Sequence, residues 1–372
     1  MIEPAGEAEL AEAVASARGP MRIRGGGTRP VGRPVTGEVL STAGLRGITL
    51  YEPGALTIVA QAGTPLAEVE AALAAEGQRL PFEPMDHRRL LGTSGEPTIG
   101  GAVAANASGP RRIAVGACRD FLIGVRFVDG HGTVVKNGGR VMKNVTGYDL
   151  VKLMAGSWGT LGVLTEVSFK VLPATASSAT LTLRGLSDTD AVGAMSSALG
   201  SPFEVSGAAH DPGAGETLIR IEGFESSVAY RAGELARRLA PFGTAEVERD
   251  PVRNAAIWAA VRDVAAFHGR SGDVWRFSVK QTEGPALCAR LGAEAVVYDW
   301  GGGLVWALCA PGTDLRARMG GTGGHATLVR AGEETRARIA PFHPEPPALA
   351  AIAEGLRRRF DPRGILNPDL MA

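Results

Sequence analysis

The feature of this 372-residue chain that most constrains its fold is the run Gly25-Gly26-Gly27, which follows a short strand. Consecutive glycines let backbone N–H groups converge into a concave nest for an anion, and they let a ligand approach the main chain closely. In the two common nucleotide-binding folds a helix begins at this point. Here Pro30 and Pro34 follow, so no long helix is expected. The pattern indicates either a strand–loop phosphate cradle or a plain tight turn.

The rest of the sequence excludes the common nucleotide-binding motifs. No G-x-G-x-x-G occurs, and none of the five lysines follows a glycine, which rules out a Walker loop. A bound dinucleotide would therefore be held by backbone amides and arginines.

Charge and hydropathy narrow the class of protein. The 39 basic and 39 acidic residues balance, which argues against nucleic acid as the main ligand. No segment reaches the roughly 18 uncharged apolar residues of a transmembrane span, and the acidic N-terminus lacks the pattern of a signal peptide. We expect a cytoplasmic chain, with any peripheral membrane association made through partner proteins.

The three cysteines, Cys118, Cys288 and Cys309, are far apart in the sequence. Their spacing matches neither an iron–sulfur cluster nor a zinc site, and we interpret each as a small buried side chain. Any electron chemistry would therefore need an organic cofactor and a further acceptor.

Residue periodicity predicts a β-rich first half followed by an α+β second half. In the first half we expect helices over residues 7–17 and after Thr64, which would cap the second helix, and a hairpin that turns at residues 129–132. Predicted strands there cover residues 22–24, 57–60, 122–128, 133–135 and 163–171. After a linker over residues 173–180, alternating short elements indicate an antiparallel sheet with helices.

The elements predicted after the linker are strands and helices of ordinary length. The strands are residues 180–183, 218–221, 274–279, 295–300, 304–308 and 326–329, and the helices are residues 190–199, 228–239 and 255–266. A last helix would present Leu349, Ile352, Leu356 and Phe360 on one face and end at Asp361.

Three further segments carry a family resemblance together with the glycine triplet. They are Thr98-Ile99-Gly100-Gly101 with Asn106, Ser108 and Gly109; residues 159–166; and Asp361-Pro362 with Asn367-Pro368. In this order the four segments resemble those of the FAD-binding oxidoreductases of the vanillyl-alcohol oxidase / p-cresol methylhydroxylase type. The resemblance implies an α+β fold: a two-part FAD-binding domain (residues 1–175 and 336–372) plus an antiparallel-sheet substrate or cap domain (residues 176–335).

Other segments narrow the resemblance. Residues 81–87 and 138–150 look like the glycolate oxidase and D-lactate dehydrogenase branch, and residues 274–278, 299–302 and 323–328 are similar to the shorter FAD-binding subunits of bacterial glycolate oxidases. The resemblance implies oxidation of glycolate, a small 2-hydroxy acid, together with a catalytic flavoprotein subunit and an iron–sulfur subunit. A self-sufficient D-lactate or 2-hydroxy acid dehydrogenase and a non-catalytic flavin-binding scaffold remain alternatives.

The sequence also departs from that branch. Its histidine-rich, metal-binding motif is missing, because the six histidines include no H-x-H or H-x-x-x-H pair, so we expect no catalytic metal. The glycine loop contains no histidine, so flavin cannot attach covalently there. We expect non-covalent FAD, with a bond to Cys118 as the remaining alternative.

The resemblance assigns three groups of residues to FAD. For the pyrophosphate they are the amides of Gly25, Gly26 and Gly27, with Thr28 and Arg24; for the isoalloxazine and ribityl chain they are Thr98, Gly100, Gly101, Asn106, Ser108 and Gly109; for the adenine they are Gly159, Gly162 and Val163. Plain tight turns are the alternative for these glycines.

Two residues are candidates for substrate chemistry. Arg276, on a predicted strand, has the fork geometry that pairs with a carboxylate; the alternatives are a salt bridge to Asp299 or exposure to solvent. His325 is the candidate base near neutral pH, with a structural histidine as the alternative. His87 and His343 are weaker candidates, and Glu166 and Asp149 are interpreted as structural.

Overall fold

The computed structural model describes residues 1–139 and 147–372. Its strands, in chain order, are β1 (Met21–Arg24), β2 (Glu38–Ser41), β3 (Ile48–Glu52), β4 (Thr57–Gln61), β5 (Gln78–Arg79), β6 (Leu122–Val128), β7 (Val134–Gly138), β8 (Val163–Lys170), β9 (Leu172–Pro173), β10 (Ser177–Arg184), β11 (Val205–Asp211), β12 (Glu216–Gly223), β13 (Glu246–Glu248), β14 (Asp273–Ser278), β15 (Ala295–Asp299), β16 (Leu304–Cys309) and β17 (His325–Arg330).

The α-helices of the described residues are mostly short. In chain order they are α1 (Glu7–Ser16), α2 (Leu66–Ala75), α3 (Arg88–Leu91), α4 (Ile99–Ala104), α5 (Arg112–Val115), α6 (Cys118–Phe121), α7 (Leu150–Met154), α8 (Asp188–Leu199), α9 (Glu225–Leu239), α10 (Pro251–Arg262), α11 (Gly284–Leu291), α12 (Glu333–Arg338) and α13 (Pro347–Phe360). No helix in this part of the chain has both the length and the apolar character that crossing a membrane requires.

The chain divides into two compact units. The first comprises Met1–Ser108, Gly116–Ala174 and Pro344–Ala372, and the second comprises Gly109–Val115 and Thr175–His343. The second unit thus takes in residues 109–115 and 336–343, which the sequence places in the FAD-binding domain. Mixed helices and antiparallel sheets confirm the predicted α+β class.

An antiparallel five-stranded sheet, in the order β3-β4-β8-β6-β7, forms the centre of the first unit. Its inner strands, β4, β8 and β6, are buried along most of their length, because their residues are largely apolar or small. Leu73 of α2, Phe127 of β6 and Phe169 of β8 are fully buried in the shared core. Each such side chain contributes about 1.5–3 kcal/mol by leaving water.

A separate parallel pair, β1 and β2, leads into the glycine triplet. The C-terminal segment runs beside β1: the Met21 N–H donates to the Ile365 carbonyl at 2.7 Å, and the Asn367 N–H donates to the Met21 carbonyl at 3.0 Å. Leu10 and Val14 of α1 pack against the same pair. The end of β1 is therefore fixed by both termini of the chain.

The sheet of the second unit is a topological repeat that the sequence does not reveal. Its eight strands have the order β13-β10-β12-β11-β15-β16-β14-β17. The half formed by β10 to β13 and the half formed by β14 to β17 each place their strands in the order fourth, first, third, second. The two halves meet through one antiparallel pair, His210 opposite Tyr298.

The structure corrects the predicted capping role of Thr64. Its hydroxyl accepts from the Gly47 N–H at 2.9 Å and donates to the Gly47 carbonyl at 3.1 Å. The helix that follows has Pro65 at its N-cap and no side-chain cap. Because Thr64 is fully buried beside the loop at Gly47, its hydroxyl satisfies that loop instead of the helix.

Other predicted elements differ in extent. The expected linker contains the last residue of β9 and the start of β10, and β11 was not predicted. α10 begins four residues before the predicted helix at residue 255. In α13, Leu356 and Phe360 pack against the core, but Leu349 and Ile352 are 55% and 61% exposed. Residues 140–146 of the family-like segment 138–150 lie outside the described residues.

Candidate functional site

The glycine loop presents a row of backbone donors. Among the described residues, no acceptor is bonded to the N–H groups of Gly25, Gly26, Gly27 or Thr28. The Thr28 carbonyl is held by the hydroxyl of Thr93 at 3.1 Å. Four consecutive N–H groups that have no acceptor in the described part of the chain are donors available to an anion, as in an anion-binding nest, so the chemistry of the loop suits the pyrophosphate of FAD.

The loop packs directly against the segment that precedes α4. The α-carbon of Gly26 lies against the Glu96 carbonyl, so any side chain at residue 26 would clash with backbone. A methyl group at Gly25 would lie 2.6 Å from the Thr98 hydroxyl oxygen. The first two predicted FAD segments are therefore brought into contact.

Residues of the second segment shape α4 itself. The Thr98 hydroxyl caps α4 by accepting from the Gly101 N–H at 3.2 Å. Gly100 packs on Ala62, to whose carbonyl its N–H donates at 2.8 Å. Gly100 is thus required by close packing, whereas Gly101 is partly exposed and remains a candidate flavin contact.

Arg29 connects the glycine loop to α4, and sequence reasoning missed it. Its guanidinium donates to the Gly101 carbonyl at 2.8 Å and to His87 Nδ1 at 3.0 Å. Burial lowers the pKa of Arg29 to about 10. His87 accepts this hydrogen bond, and so takes a structural role here. Arg29 directly follows Thr28 of the glycine loop, and this position could have identified Arg29 from the sequence.

Asn106 and Ser108 hold the next turn through their side chains. The Asn106 amide oxygen accepts from the Arg119 N–H at 3.0 Å, and the Ser108 hydroxyl accepts from the Cys118 N–H at 3.0 Å. Asn106 has the left-handed φ of 48° that asparagine tolerates. Both side chains therefore shape the segment, and their contact with flavin stays a prediction.

The third glycine turn is joined to the other segments through Asn367. The Asn367 side chain accepts from the Ile23 N–H and donates to the Trp158 carbonyl, both at 2.8 Å. The Trp158 N–H donates to the carbonyl of Ala104 at the end of α4. Gly159 lies against Asn367 and Ile23. Apart from Gly109, which belongs to the second unit, the four family-like segments therefore lie close together within the first unit.

Gly162 and Val163 lie on the core side of that turn. Gly162 packs on the ring of Phe127, where a methyl group would lie 2.6 Å from a ring carbon. Val163 is fully buried and pairs with Val128. Both residues pack against protein, and their assignment to adenine remains a prediction. Arg24, in contrast, is exposed and its guanidinium lies over Gly27.

Cys118 is fully buried in the core of the first unit. Burial raises the pKa of its thiol well above the usual range. A thiol, rather than a thiolate, reacts poorly with an electrophile. This environment is consistent with non-covalent FAD.

The second unit contains a cluster around Arg276. This half-buried side chain on β14 has its Cζ 5.1 Å from the ring centroid of Trp300 and 5.9 Å from that of Trp306. Within the described residues it forms no hydrogen bond and no ion pair, so the expected alternative of a salt bridge to Asp299 is not seen. Desolvation lowers its pKa to about 10. A partly buried guanidinium that forms no ion pair within the described residues is suited to bind an anion.

His325 begins β17 and pairs with Ser278 of β14. Desolvation, followed by the positive charges of Arg276, His343 and Arg112, lowers the pKa of His325 below its usual 6.5. The imidazole is therefore neutral at pH 7 and able to accept a proton. His343 accepts from the Ala326 N–H through Nδ1 at 3.2 Å, which gives it a structural role.

The structure also shows the contacts of Asp149 and Glu166, which the sequence analysis interprets as structural residues. Asp149 caps α7 by accepting from the Lys152 N–H at 3.0 Å, as expected of a structural residue. Glu166 accepts from the Thr49 hydroxyl at 3.0 Å and caps no helix. No group of three His, Cys, Asp or Glu side chains in residues 1–139 and 147–372 is arranged to hold a metal ion.

Known proteins share both the sequence and the fold. Residues 1–138 match a family model described as an FAD binding domain. The glycolate oxidase subunit GlcE of Escherichia coli (strain K12) is 38% identical over 95% of this chain and 92% of its own length. GlcD of Bacillus subtilis (strain 168) is 33% identical over 42% of this chain, but over only 32% of its own length. The structure of alkyldihydroxyacetonephosphate synthase has a TM-score of 0.69 over 98% of this chain and 76% of that chain, at 17% identity, which shows the fold alone.

The matched domain and the similarity to a glycolate oxidase subunit define the class of this chain, an FAD-binding oxidoreductase. Within that class, the chain belongs to the family of the glycolate oxidase subunit GlcE. The predicted family and the predicted cofactor, FAD, are confirmed.

Proposed function

We propose that this chain is the FAD-binding subunit of a glycolate oxidase, which takes part in the oxidation of glycolate to glyoxylate. In this proposal it assembles with a catalytic flavoprotein subunit and an iron–sulfur subunit that receives the electrons. The observation that carries the proposal is the 38% identity to a glycolate oxidase subunit along almost all of both chains.

In this proposal the first unit holds the cofactor. The N–H groups of Gly25, Gly26, Gly27 and Thr28 would bind the pyrophosphate, because they have no acceptor among the described residues. The partly exposed backbone at Gly101 would lie along the flavin, and Arg24 would add charge beside the loop. A bound flavin supplies a two-electron acceptor.

The second unit would bind the substrate. Arg276 would bind the carboxylate, since a guanidinium offers two parallel N–H donors to two oxygens. His325 would accept the proton of the α-hydroxyl group on a ring nitrogen as the carbon is oxidised, because its lowered pKa keeps that ring neutral at pH 7.

The cluster of Arg276 and His325 favours a second candidate, a self-sufficient FAD-dependent 2-hydroxy acid dehydrogenase. A chain with its own carboxylate-binding group and base could turn over without a catalytic partner. A scaffold that binds flavin but never reduces it would need neither residue.

Dye reduction by the FAD-loaded chain, alone and assembled with its partner subunits, tests these functions. The proposal expects glycolate-driven dye reduction by the complex and little by the lone chain. Turnover by the lone chain would favour the self-sufficient enzyme. A complex that keeps full activity when this chain carries Gly26→Ala and lacks FAD would favour the scaffold. A complex without glycolate oxidation would contradict the proposal.

A further inference from the structure

The antiparallel pairing of β14 with β17 determines which of their side chains are neighbours. Trp275 is opposite Leu328 and Phe277 is opposite Ala326, and all four side chains are fully buried in the core of the second unit. Successive side chains of a strand point to opposite faces of the sheet. The residues that alternate with these four therefore lie on the face of the sheet that is turned away from this core.

Four polar side chains occupy that other face. Arg276 is opposite Thr327, and Ser278 is opposite His325. Directly opposed residues of an antiparallel pair have Cβ atoms about 4.5–5.5 Å apart, and two residues of strand separate the two pairs by roughly 7 Å. The guanidinium proposed to bind the carboxylate and the imidazole proposed to accept the proton are thus diagonal neighbours, and each has a hydroxyl group beside it.

This face is less covered than the face that forms the core. Arg276, Ser278 and Thr327 are partly buried, and His325 is exposed. Within the described residues, the hydroxyl groups of Ser278 and Thr327 form no hydrogen bond with protein. A hydroxyl group without a protein partner is available to donate to a ligand.

The two neighbours of Arg276 in the sheet differ in what they can offer to an anion. On β16, Trp306 is opposite Arg276 and is buried, and its ring centroid lies 5.9 Å from the Cζ of Arg276. An indole ring offers its face to a cation and has no hydrogen-bond acceptor. On β17 the neighbour is Thr327, whose hydroxyl group is a donor. A carboxylate bound by Arg276 on the β17 side would therefore meet the Thr327 hydroxyl.

We infer that Thr327 is a further substrate-binding residue, whose hydroxyl group donates to the carboxylate that Arg276 binds. The inference rests on the proposed function for its substrate class. The α-hydroxyl group of the acid would then point along the strands toward Ser278 and His325. The position of Thr327 relative to Arg276 is set by the register of two paired strands and not by a loop.

The kinetic test uses the complete complex containing full-length wild-type or variant chain. Thr327→Val removes the hydroxyl group and keeps the branched shape. It is expected to raise the KM for glycolate by about 10- to 100-fold, the loss of one hydrogen bond to a charged group. The change in kcat should be much smaller, because the lost interaction is equal in the ground and transition states.

Thr327→Ser separates hydrogen bonding from packing. Serine keeps the hydroxyl group and loses a methyl group, so its KM should remain close to that of the wild type. A role in packing alone predicts the reverse order, since valine keeps the shape of threonine and serine does not.

The binding test uses oxalate, which has no α-hydroxyl group to oxidise, titrated calorimetrically into the FAD-loaded chain. Thr327→Val should weaken oxalate binding by a factor similar to the rise in KM. Thr244→Val is the matched control, because Thr244 is an exposed threonine of the same unit outside its strands. The control should bind oxalate as the wild type does.

Unchanged KM and unchanged oxalate affinity in folded Thr327→Val would overturn the inference, even if the complex oxidises glycolate. A wild-type chain that binds no oxalate would also overturn it. Conversely, oxalate binding that depends on the Thr327 hydroxyl, in a complex without glycolate oxidation, would support the carboxylate site and contradict the proposed function. If Thr327→Val does not fold, Thr327→Ala replaces it in the comparison with Thr327→Ser.

Discussion

The side-chain amide of Asn367 donates to the carbonyl oxygen of Trp158 at 2.8 Å, across 209 residues of sequence. The same side chain accepts from the Ile23 N–H at the end of β1. One buried amide near the C-terminus therefore ties the strand that leads into the glycine triplet to the third glycine turn.

Asn367→Gly and Asn367→Ala should therefore lower the free energy of unfolding by about 1–3 kcal/mol, because each removes two hydrogen bonds to partly buried backbone groups. Asn367→Gly tolerates the left-handed φ of 43° at this position, so it separates lost hydrogen bonds from backbone strain. Thermal unfolding and urea unfolding of the FAD-loaded chain measure the stability of both variants. Wild-type stability in the glycine variant would show that the amide bridge is unimportant.

Gly26→Ala should abolish FAD retention. A methyl group there would collide with the Glu96 carbonyl, so residues 25–28 would shift and their N–H groups would no longer converge. The ratio of flavin absorbance to protein absorbance after desalting measures the effect.

Gly54→Ala is the control for that variant, because a methyl group at Gly54 meets no atom within 4 Å. It should retain FAD as the wild type does. Full flavin content in a folded Gly26→Ala chain would argue against the nest as the pyrophosphate site.

The protonation of His325 should determine how kcat/KM of the complex for glycolate depends on pH. Because its pKa in the folded protein lies below 6.5, kcat/KM for glycolate should hold at neutral pH and fall as the pH drops through that lowered pKa. His325→Asn should lower the rate and remove this acid limb. An unchanged profile in His325→Asn would exclude it as the base.

The same shift has a consequence for stability. Between the lowered pKa and 6.5 the unfolded chain binds more protons at this residue than the folded chain does, so the free energy of unfolding should decrease as the pH falls through this interval. Urea unfolding of wild type and His325→Asn at a series of pH values should show a shallower decrease in the variant.

FAD should be released completely when the chain is denatured. Cys118 is fully buried and its thiol pKa is raised, so a flavin–cysteine bond is not expected. Cys118→Ala should keep the flavin and its absorbance spectrum. Flavin fluorescence that remains with the protein band after denaturing electrophoresis would contradict this prediction.

Local signals in the sequence determined much of the fold. The turn after Asp129 and the strands on either side of it follow from short-range turn chemistry and alternation. β6 has the predicted bounds, whereas β7 begins one residue later and ends three residues later than predicted. Strand β11, in contrast, reads Val-Ser-Gly-Ala-Ala-His-Asp and lacks apolar alternation. Its small residues are buried because neighbouring strands and Trp258 cover them. The sequence of β11 alone does not predict this burial.

The sequence by itself determined the class of protein, through glycine segments whose spacing and order resemble one family. Only the tertiary structure showed which side chains form hydrogen bonds that hold those segments in place. The hydrogen-bond partners of Arg29 and Asn367 lie far away in the chain, so no local pattern identifies them. Thr64 shows the converse, because the buried hydroxyl bonds to the backbone of Gly47 and does not cap the helix that its local sequence predicts. Local propensities are worth tenths of a kcal/mol to about one, whereas an unsatisfied buried polar group costs about 1–3 kcal/mol; where the two conflict, long-range contacts prevail.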